Sequence, residues 1–245
     1  MIADKLTTIA ENEQRVYDSG IEKGFGQGKK SEYDRFWDAY QQNGTRTNYE
    51  NAFAGFGWNE TTFMPKHPIT ASTSTYMMFR YCAFNGDLAA HLQNLNCSLS
   101  TTGCANFQYA FYGSRFTRIG EVDLQNALYL QSAFGACTLL ETIDKIVSAE
   151  NTAYDASTFA GCKALKNVTI EGTIGRSLSM RDCENLSLDS ILSIINALSS
   201  TTSGLTLTLN GNAVMTALNI GEWPDGTAEW LAITEDKQNW SYVFT

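Results

Sequence analysis

Glu121 and Asp123 stand two positions apart in a partly alternating apolar run, Ile119 to Leu124. On a strand that spacing puts both carboxylates on one face, and paired carboxylates can do general acid–base work. A solvated strand face explains the same pair without any chemistry, and that reading is preferred. Only two histidines are present: His67 lies between Lys66 and Pro68, and His91 among Leu88, Ala89, Ala90 and Leu92. Isolated in this way they read as surface or packing residues, and they make no metal motif. Asp182, Glu184 and Asp189 lack the spacing of a calcium loop. The string Gly24-Phe25-Gly26-Gln27-Gly28 is glycine-rich, but no strand precedes it, which argues against a phosphate cradle. Neither a nucleophile elbow, a Walker A loop, a zincin helix nor a dinucleotide fingerprint occurs. The expectation is a non-enzymatic protein with no catalytic residue, no metal site and no cofactor.

The six cysteines invite a disulfide reading, but their positions favour another. Cys82, Cys137, Cys162 and Cys183 hold one slot of a recurring motif, where cysteine serves as a small buried hydrophobe. Cys97 and Cys104 lie between the motifs and are free to pair or to stay reduced. Without a Cys-x-x-Cys there is no structural zinc site to expect.

The motif positions everything else. Its copies read Met78-Phe79-Arg80-Tyr81-Cys82, Ala110-Phe111-Tyr112-Gly113-Ser114, Ala133-Phe134-Gly135-Ala136-Cys137 and Thr158-Phe159-Ala160-Gly161-Cys162, followed by a degenerate Met180-Arg181-Asp182-Cys183. The phenylalanines are spaced by 32, 23 and 25 residues, periods at which a repeat buries its apolar face only by stacking on its neighbours. After Phe134 and Cys137 come Leu140, Ile143 and Ile146; after Phe159 and Cys162 come Leu165, Val168 and Ile170. The β-runs expected from the pattern are Ile119 to Leu124, Ile143 to Ser148, Val168 to Gly172 and Leu205 to Asn210.

From Thr75 to Asn210 this pattern resembles the BspA-like class of leucine-rich repeats, whose consensus is close to aFxgCxxLxxIxI. Ser114 replaces the cysteine of the second copy, and Met180 fills the phenylalanine slot of the fifth. The expected fold class is an α/β solenoid: a short, irregular leucine-rich-repeat stack with a parallel sheet, an N-terminal helical cap and a C-terminal α/β cap.

Three segments follow from the punctuation. Residues 1–42 read as an N-terminal helical segment and Gly-rich linker. Ile2, Leu6, Ile9, Glu13 and Val16 form a short seam, suited to docking on a partner or packing on its own domain rather than to a self-associating stalk. Residues 43–74 read as an aromatic N-terminal cap. There the helical stripe Tyr33, Phe36, Trp37 and Tyr40 is expected to pack against Phe53, Phe56, Trp58 and Phe63. Residues 75–245 read as the leucine-rich-repeat domain with its C-terminal cap. In that cap Ser187 starts a helix with Leu188, Ile191, Leu192, Ile195 and Leu198 on one face. Asn210-Gly211 marks a turn, a last helix starts near Thr227 with Trp230, Leu231 and Ile233, and Trp240 to Phe244 closes the chain as a strand.

The opening helix, the Tyr33-Asp34-Arg35-Phe36-Trp37-Asp38 segment and the closing Trp240-Ser241-Tyr242-Val243-Phe244 are similar to proteins encoded in tail-gene regions of phages and prophages of gut Firmicutes. That resemblance implies a phage virion structural or host-adhesion protein. The alternative is a bacterial surface or interaction protein with BspA-like repeats.

Composition sets the partners. Hydrophobic residues make up 43% of the chain, enough for a core, while charged residues make up only 18%, below the usual quarter or so. A formal net charge of −9 excludes nucleic acid as an expected partner, since phosphate binding needs clustered Lys and Arg. No run reaches the roughly 18 apolar residues of a membrane span, and Met1 to Arg15 lacks the apolar centre of a signal peptide. The expected location is therefore the cytoplasm during synthesis, then the virion after lysis. Expected partners are a protein or cell-surface glycan receptor and other virion proteins, with a homo-oligomer possible in principle. Candidate binding residues near the strands are Tyr109, Tyr112, Arg115, Arg118, Glu121, Asp123, Arg176 and Arg181, a Tyr and Arg mixture of the kind that binding hot spots favour.

Overall fold

The computed structural model describes residues 48–55, 65 and 68–245. The chain divides into two compact units, Met1–Gly44 and Thr45–Thr245, and the described residues belong to the second. The N-terminal seam, the glycine linker, the Tyr33 to Tyr40 stripe, Phe56, Trp58, Phe63 and His67 lie outside the described residues.

The class is α/β, with parallel pairing throughout the described strands. β1 (Ile69–Thr70) pairs with β2 (Leu99–Ser100). β3 (Arg118–Asp123), β4 (Thr142–Ser148) and β5 (Asn167–Gly172) form one three-stranded sheet. β6 (Leu178–Met180), β7 (Leu205–Leu209) and β8 (Trp240–Phe244) form another. Among the described residues no sheet closes into a barrel. The helices are α1 (Leu88–Asn94), α2 (Leu188–Ala197), α3 (Gly211–Leu218) and α4 (Ala228–Thr234). Among the described residues no helix is long and apolar enough to cross a membrane.

Strands β3 and β4 do not alternate strictly. Ile119 and Val122 are buried in β3, and Ile143 and Ile146 in β4, each pair three apart. In β5 the buried pair is Val168 and Ile170, two apart, and the β4–β5 register shifts between Ile143 and Ile146. The extra residue is a bulge, which leaves two consecutive side chains off the core face. Asp144 and Lys145 occupy that position.

The Phe motifs form the spine of the core. Phe53, Phe79, Phe111, Phe134 and Phe159 are all fully buried. Their rings stack at 5.1, 5.4, 5.2 and 5.2 Å, with interplanar angles from 20° down to 2°. That interval is close to the spacing of paired strands, so one ring per copy fills the interior without gaps. Stacked pairs add about 0.5–1.5 kcal/mol each beyond their burial. The sequence placed Phe53 in a cap against other aromatics; among the described residues its ring is stacked on Phe79 at the start of the column.

A backbone ladder runs beside the rings. The Phe53 N–H donates to Met78 O, Phe79 to Ala110, Phe111 to Ala133 and Phe134 to Thr158, at 2.6–2.9 Å. Two residues further on, Gly55 donates to Arg80 O, Tyr81 to Tyr112, Gly113 to Gly135 and Ala136 to Ala160. The residue at this later rung is left-handed in each of the five copies that carry a phenylalanine: Gly55, Tyr81, Gly113, Ala136 and Gly161 all have positive φ. In the degenerate copy no carbonyl continues the ladder. The Asp182 carboxylate instead accepts from the Gly161 N–H at 2.8 Å.

The sheet ends in the same manner. Ser190 and Ser193 on α2 accept from the Val168 and Ile170 N–H groups at 2.9 and 2.8 Å, and Ser190 Oγ donates to Lys166 O at 2.9 Å. Two hydroxyls thus take the place of another strand at the edge of β5. This requirement rotates α2. Ser187 caps it as expected, but Ser190, Ile191, Ile194, Ile195 and Ala197 face inward and Leu188 is exposed. One further reading is corrected, and the last helix lies where it was expected. Asn210-Gly211 is not a reversing turn: the Asn210 side chain caps α3, its Oδ1 accepting from the Ala213 N–H at 3.0 Å. In α4, capped by Thr227, Trp230 is buried whereas Leu231 is exposed.

Gly172, at the end of β5, has φ +96°, and a Cβ there would lie 2.0 Å from Ser148 O. Left-handed strain and direct overlap with backbone act together, so Gly172→Ala should lose about 3 kcal/mol or more. Urea melts check this. A loss below about 0.5 kcal/mol, typical of a surface change, would mean the β4–β5 ends separate freely.

Candidate functional site

The eight residues singled out from the sequence fall in different places. Arg118, Glu121 and Asp123 lie on β3, away from the core. Arg118 Nε and Nη2 bond both oxygens of Asp144 at 2.7 and 2.8 Å, and Nη1 bonds Asp87 Oδ2 at 3.0 Å. The neighbouring row is Glu121, Lys145 and Glu171, with Lys145 Nζ 2.8 Å from Glu121 and 3.3 Å from Glu171. Each row runs acid, base, acid across the strands. The carboxylates flanking Arg118 and Lys145 raise both pKa values, chiefly through hydrogen bonds to Asp144 and to Glu121. Asp123 is engaged elsewhere: its Oδ1 accepts from the Gln125 N–H at 3.0 Å. Glu121 and Asp123 therefore serve separate partners, an ion pair and a turn, and do not form a working acid–base pair.

The other acidic trio is also dispersed. Asp182 ends the backbone ladder, Glu184 pairs with Lys163 at 3.1 Å, and Asp189 lies in the first turn of α2. Arg181 stands 3.6 Å from Asp182, and Arg176 and Arg115 are exposed. His91 is buried in α1, its ring 4.5 Å from that of Phe84. Among the described residues no group of three His, Cys, Asp or Glu could hold a metal ion. A pocket of about 190 Å³ between α1, β2 and β3 is lined by Leu88, Cys97, Leu99 and Glu121 among others. It is smaller than the roughly 300 Å³ at which small-molecule sites begin.

The cysteines are structural. All six are free and buried, Cys97 and Cys104 included. Cys137 Sγ donates to Phe111 O at 2.9 Å and Cys162 Sγ to Phe134 O at 3.0 Å, so each thiol bonds the neighbouring copy. Ser114, at the same slot, places its Oγ 3.5 Å from Cys137 Sγ of the next copy. Burial pushes the Cys82 thiol up to about 12 and the Cys137 thiol up to about 11, and raises those of Cys162 and Cys183 as well. The thiolate is the reactive form. At pH 8 the Cys137 thiol should therefore react with a disulfide reagent at least about a hundredfold more slowly than a free thiol, and all six should titrate once denaturant is added. Fast modification of the column thiols in the folded protein would contradict this packing.

Tyr109 and Tyr112 lie on the turns of the Phe motifs and come together with two residues absent from the sequence-based list, Arg80 and Tyr81. Tyr112 stands edge-on to Tyr81 at 5.5 Å and to Tyr109 at 5.6 Å. The Arg80 guanidinium carbon lies 5.0 Å from the Tyr81 ring centre and 5.9 Å from that of Tyr109, within cation–π range. Tyr81 is 53% exposed. A Cβ on Gly113 would come within 2.5 Å of the Tyr81 ring, and one on Gly135 within 3.1 Å of Tyr112. Each ring thus rests against the glycine of the next copy. Aligning the copies could have found Tyr81, because it fills the left-handed slot that Gly55, Gly113 and Gly161 hold elsewhere.

Comparison with protein-family models, curated proteins and solved structures yields no match.

Proposed function

We propose that this chain is a non-enzymatic binding protein, a leucine-rich-repeat solenoid serving as a phage virion structural or host-adhesion component. The observation that carries the binding reading is the contrast between two sets of side chains. Glu121, Asp123, Asp182, Glu184 and His91 are committed to ion pairs, a turn, the end of the ladder and packing. Of the tyrosines around Arg80, Tyr81 is exposed and Tyr109 and Tyr112 are half-buried on the stacked motifs. The repeated rings and ladder support the solenoid reading, since each copy offers its neighbour the same ring and the same hydrogen bonds. The virion context rests on the sequence resemblance, and assembly in the cytoplasm with release by lysis goes with it.

The test uses the full chain, fluorescently labelled, mixed with a panel of intact gut Firmicutes cells. Saturable binding to some strains, competed by unlabelled protein, is expected. Absence of saturable binding across the panel would overturn the adhesion reading.

A further inference from the structure

We propose that Arg80, Tyr81, Tyr109 and Tyr112 form a binding site for a sugar bearing an oxyanion, such as a carboxylate, sulfate or phosphate. This rests on the binding reading above and names the ligand class.

Arg80 is the first observation. Its Nε is buried with no hydrogen-bond partner, and Nη1 finds only the Met77 sulfur at 3.5 Å. Among the described residues no carboxylate pairs with it. Arg118 and Lys145, by contrast, each hold two carboxylates. A guanidinium fixed by ring contacts and lacking a strong acceptor has its outer N–H groups free for an oxyanion.

Backbone conformation is the second. Tyr81 has φ +54°. A bulky side chain in this region is an outlier, and such strain concentrates at ligand sites. Three of the five copies avoid it at the Tyr81 slot by using glycine. Here strain is retained, and its product is a tyrosine ring backed by Gly113 and open to solvent.

The size of the cluster selects the ligand. Four side chains match one or two sugar rings, whereas a stable protein interface uses about 20–30 residues a side. The next copies offer Ser132, Ala136, Ala160 and Gly161 at the corresponding turn positions, small residues along which an oligosaccharide can continue. Tyrosine supplies an apolar face and a hydroxyl at little entropic cost. With a chain charge of −9 and one unpaired guanidinium, the cluster suits an isolated anionic group and not a dense polyanion.

Isothermal titration tests this with tetragalacturonate, sialyllactose and a chondroitin sulfate tetrasaccharide. Each is matched to a neutral or less acidic parent: the galacturonate methyl ester, lactose and unsulfated chondroitin. At least one acidic member should bind at least tenfold more tightly than its parent. Arg80→Gln should bring the two together. Tyr81→Gly should weaken binding at least tenfold while leaving the urea midpoint equal or higher, because glycine relieves the left-handed strain. Equal binding of every acid and parent, or unchanged binding by folded Tyr81→Gly, overturns the proposal. Cells that bind the wild type but not Tyr81→Gly, with no saccharide competing, would indicate a protein receptor and overturn the sugar assignment alone. Failure of the wild type to bind any cell would count against the adhesion reading instead.

Discussion

Raising the pH from 9 to 11 should destabilise this protein by several kcal/mol. A thiol whose folded-state pKa exceeds its ordinary value of 9.0 keeps its proton in the native state while the unfolded chain releases it. The unfolded state then binds fewer protons, so stability falls as pH rises, by about 1.4 kcal/mol per pH unit for each such thiol. The stabilising contribution is whole below pH 9 and is lost on the way to the folded values, about 11 for Cys137 and about 12 for Cys82. Cys162 and Cys183 are shifted in the same direction by the same burial. Cys137 and Cys82 alone, over the two pH units from 9 to 11, amount to roughly 5 kcal/mol, a large share of the stability of a domain. Urea midpoints measured between pH 8 and 11 check the slope. Cys137→Ser copies what the chain already does at Ser114 and should flatten the curve by about one proton. A midpoint that stays constant to pH 10.5 would show that the thiols titrate while folded.

Phe134→Ala should cost about 3–5 kcal/mol, as for other buried aromatics. Phe134 is flanked by Phe111 and Phe159 at 5.2 Å on both sides, and these three rings are nearly coplanar in tilt. Truncation opens a void in the middle of the column and removes two stacked contacts at once. Phe134→Leu should recover much of the loss through volume, leaving the stacking component of about 1–2 kcal/mol. A loss under about 1 kcal/mol in urea melts, the size of an ordinary surface change, would mean that the column collapses without penalty and that the rings do not set the spacing of the copies.

The rings and thiols were legible in the sequence because stacking demands the same residue type at the same slot of every copy. The β-runs and the closing strand were legible from β-branched clusters, within a residue or two of the observed ends. What stayed hidden is set by contacts between copies or between distant elements. Phe53 is followed at the cysteine slot by Phe56, so the copy looked like an aromatic cap. The apolar pattern of α2 placed Leu188 inward, but hydrogen bonds from β5 to Ser190 and Ser193 decide its rotation. Asn210-Gly211 has the local preference of a turn, and the same asparagine serves equally well as a helix cap. Of the candidate binding residues, Tyr109 and Tyr112 meet across copies. Arg118 and Glu121 could be found as surface charges but not as ion-paired ones, because the partners Asp144, Lys145 and Glu171 come from other strands. Arg80 and Tyr81 were passed over because they sit inside a motif read for its core.

The substitution of side chains for backbone at Asp182, Ser190 and Ser193 fixes where the array can change its copy number. Upstream, every rung joins one main chain to the next, so an additional copy of about 25 residues inserted between Phe111 and Phe159 would find donors and acceptors waiting on both sides. From Gly161 onward the outgoing amides of Gly161, Val168 and Ile170 are already spoken for by a carboxylate and two hydroxyls. Lineages of this protein should therefore differ in length by whole units on the N-terminal side of that stop, with a C-terminal segment of constant size. The same stop removes an open strand edge from β5, and with it one route to edge-to-edge aggregation.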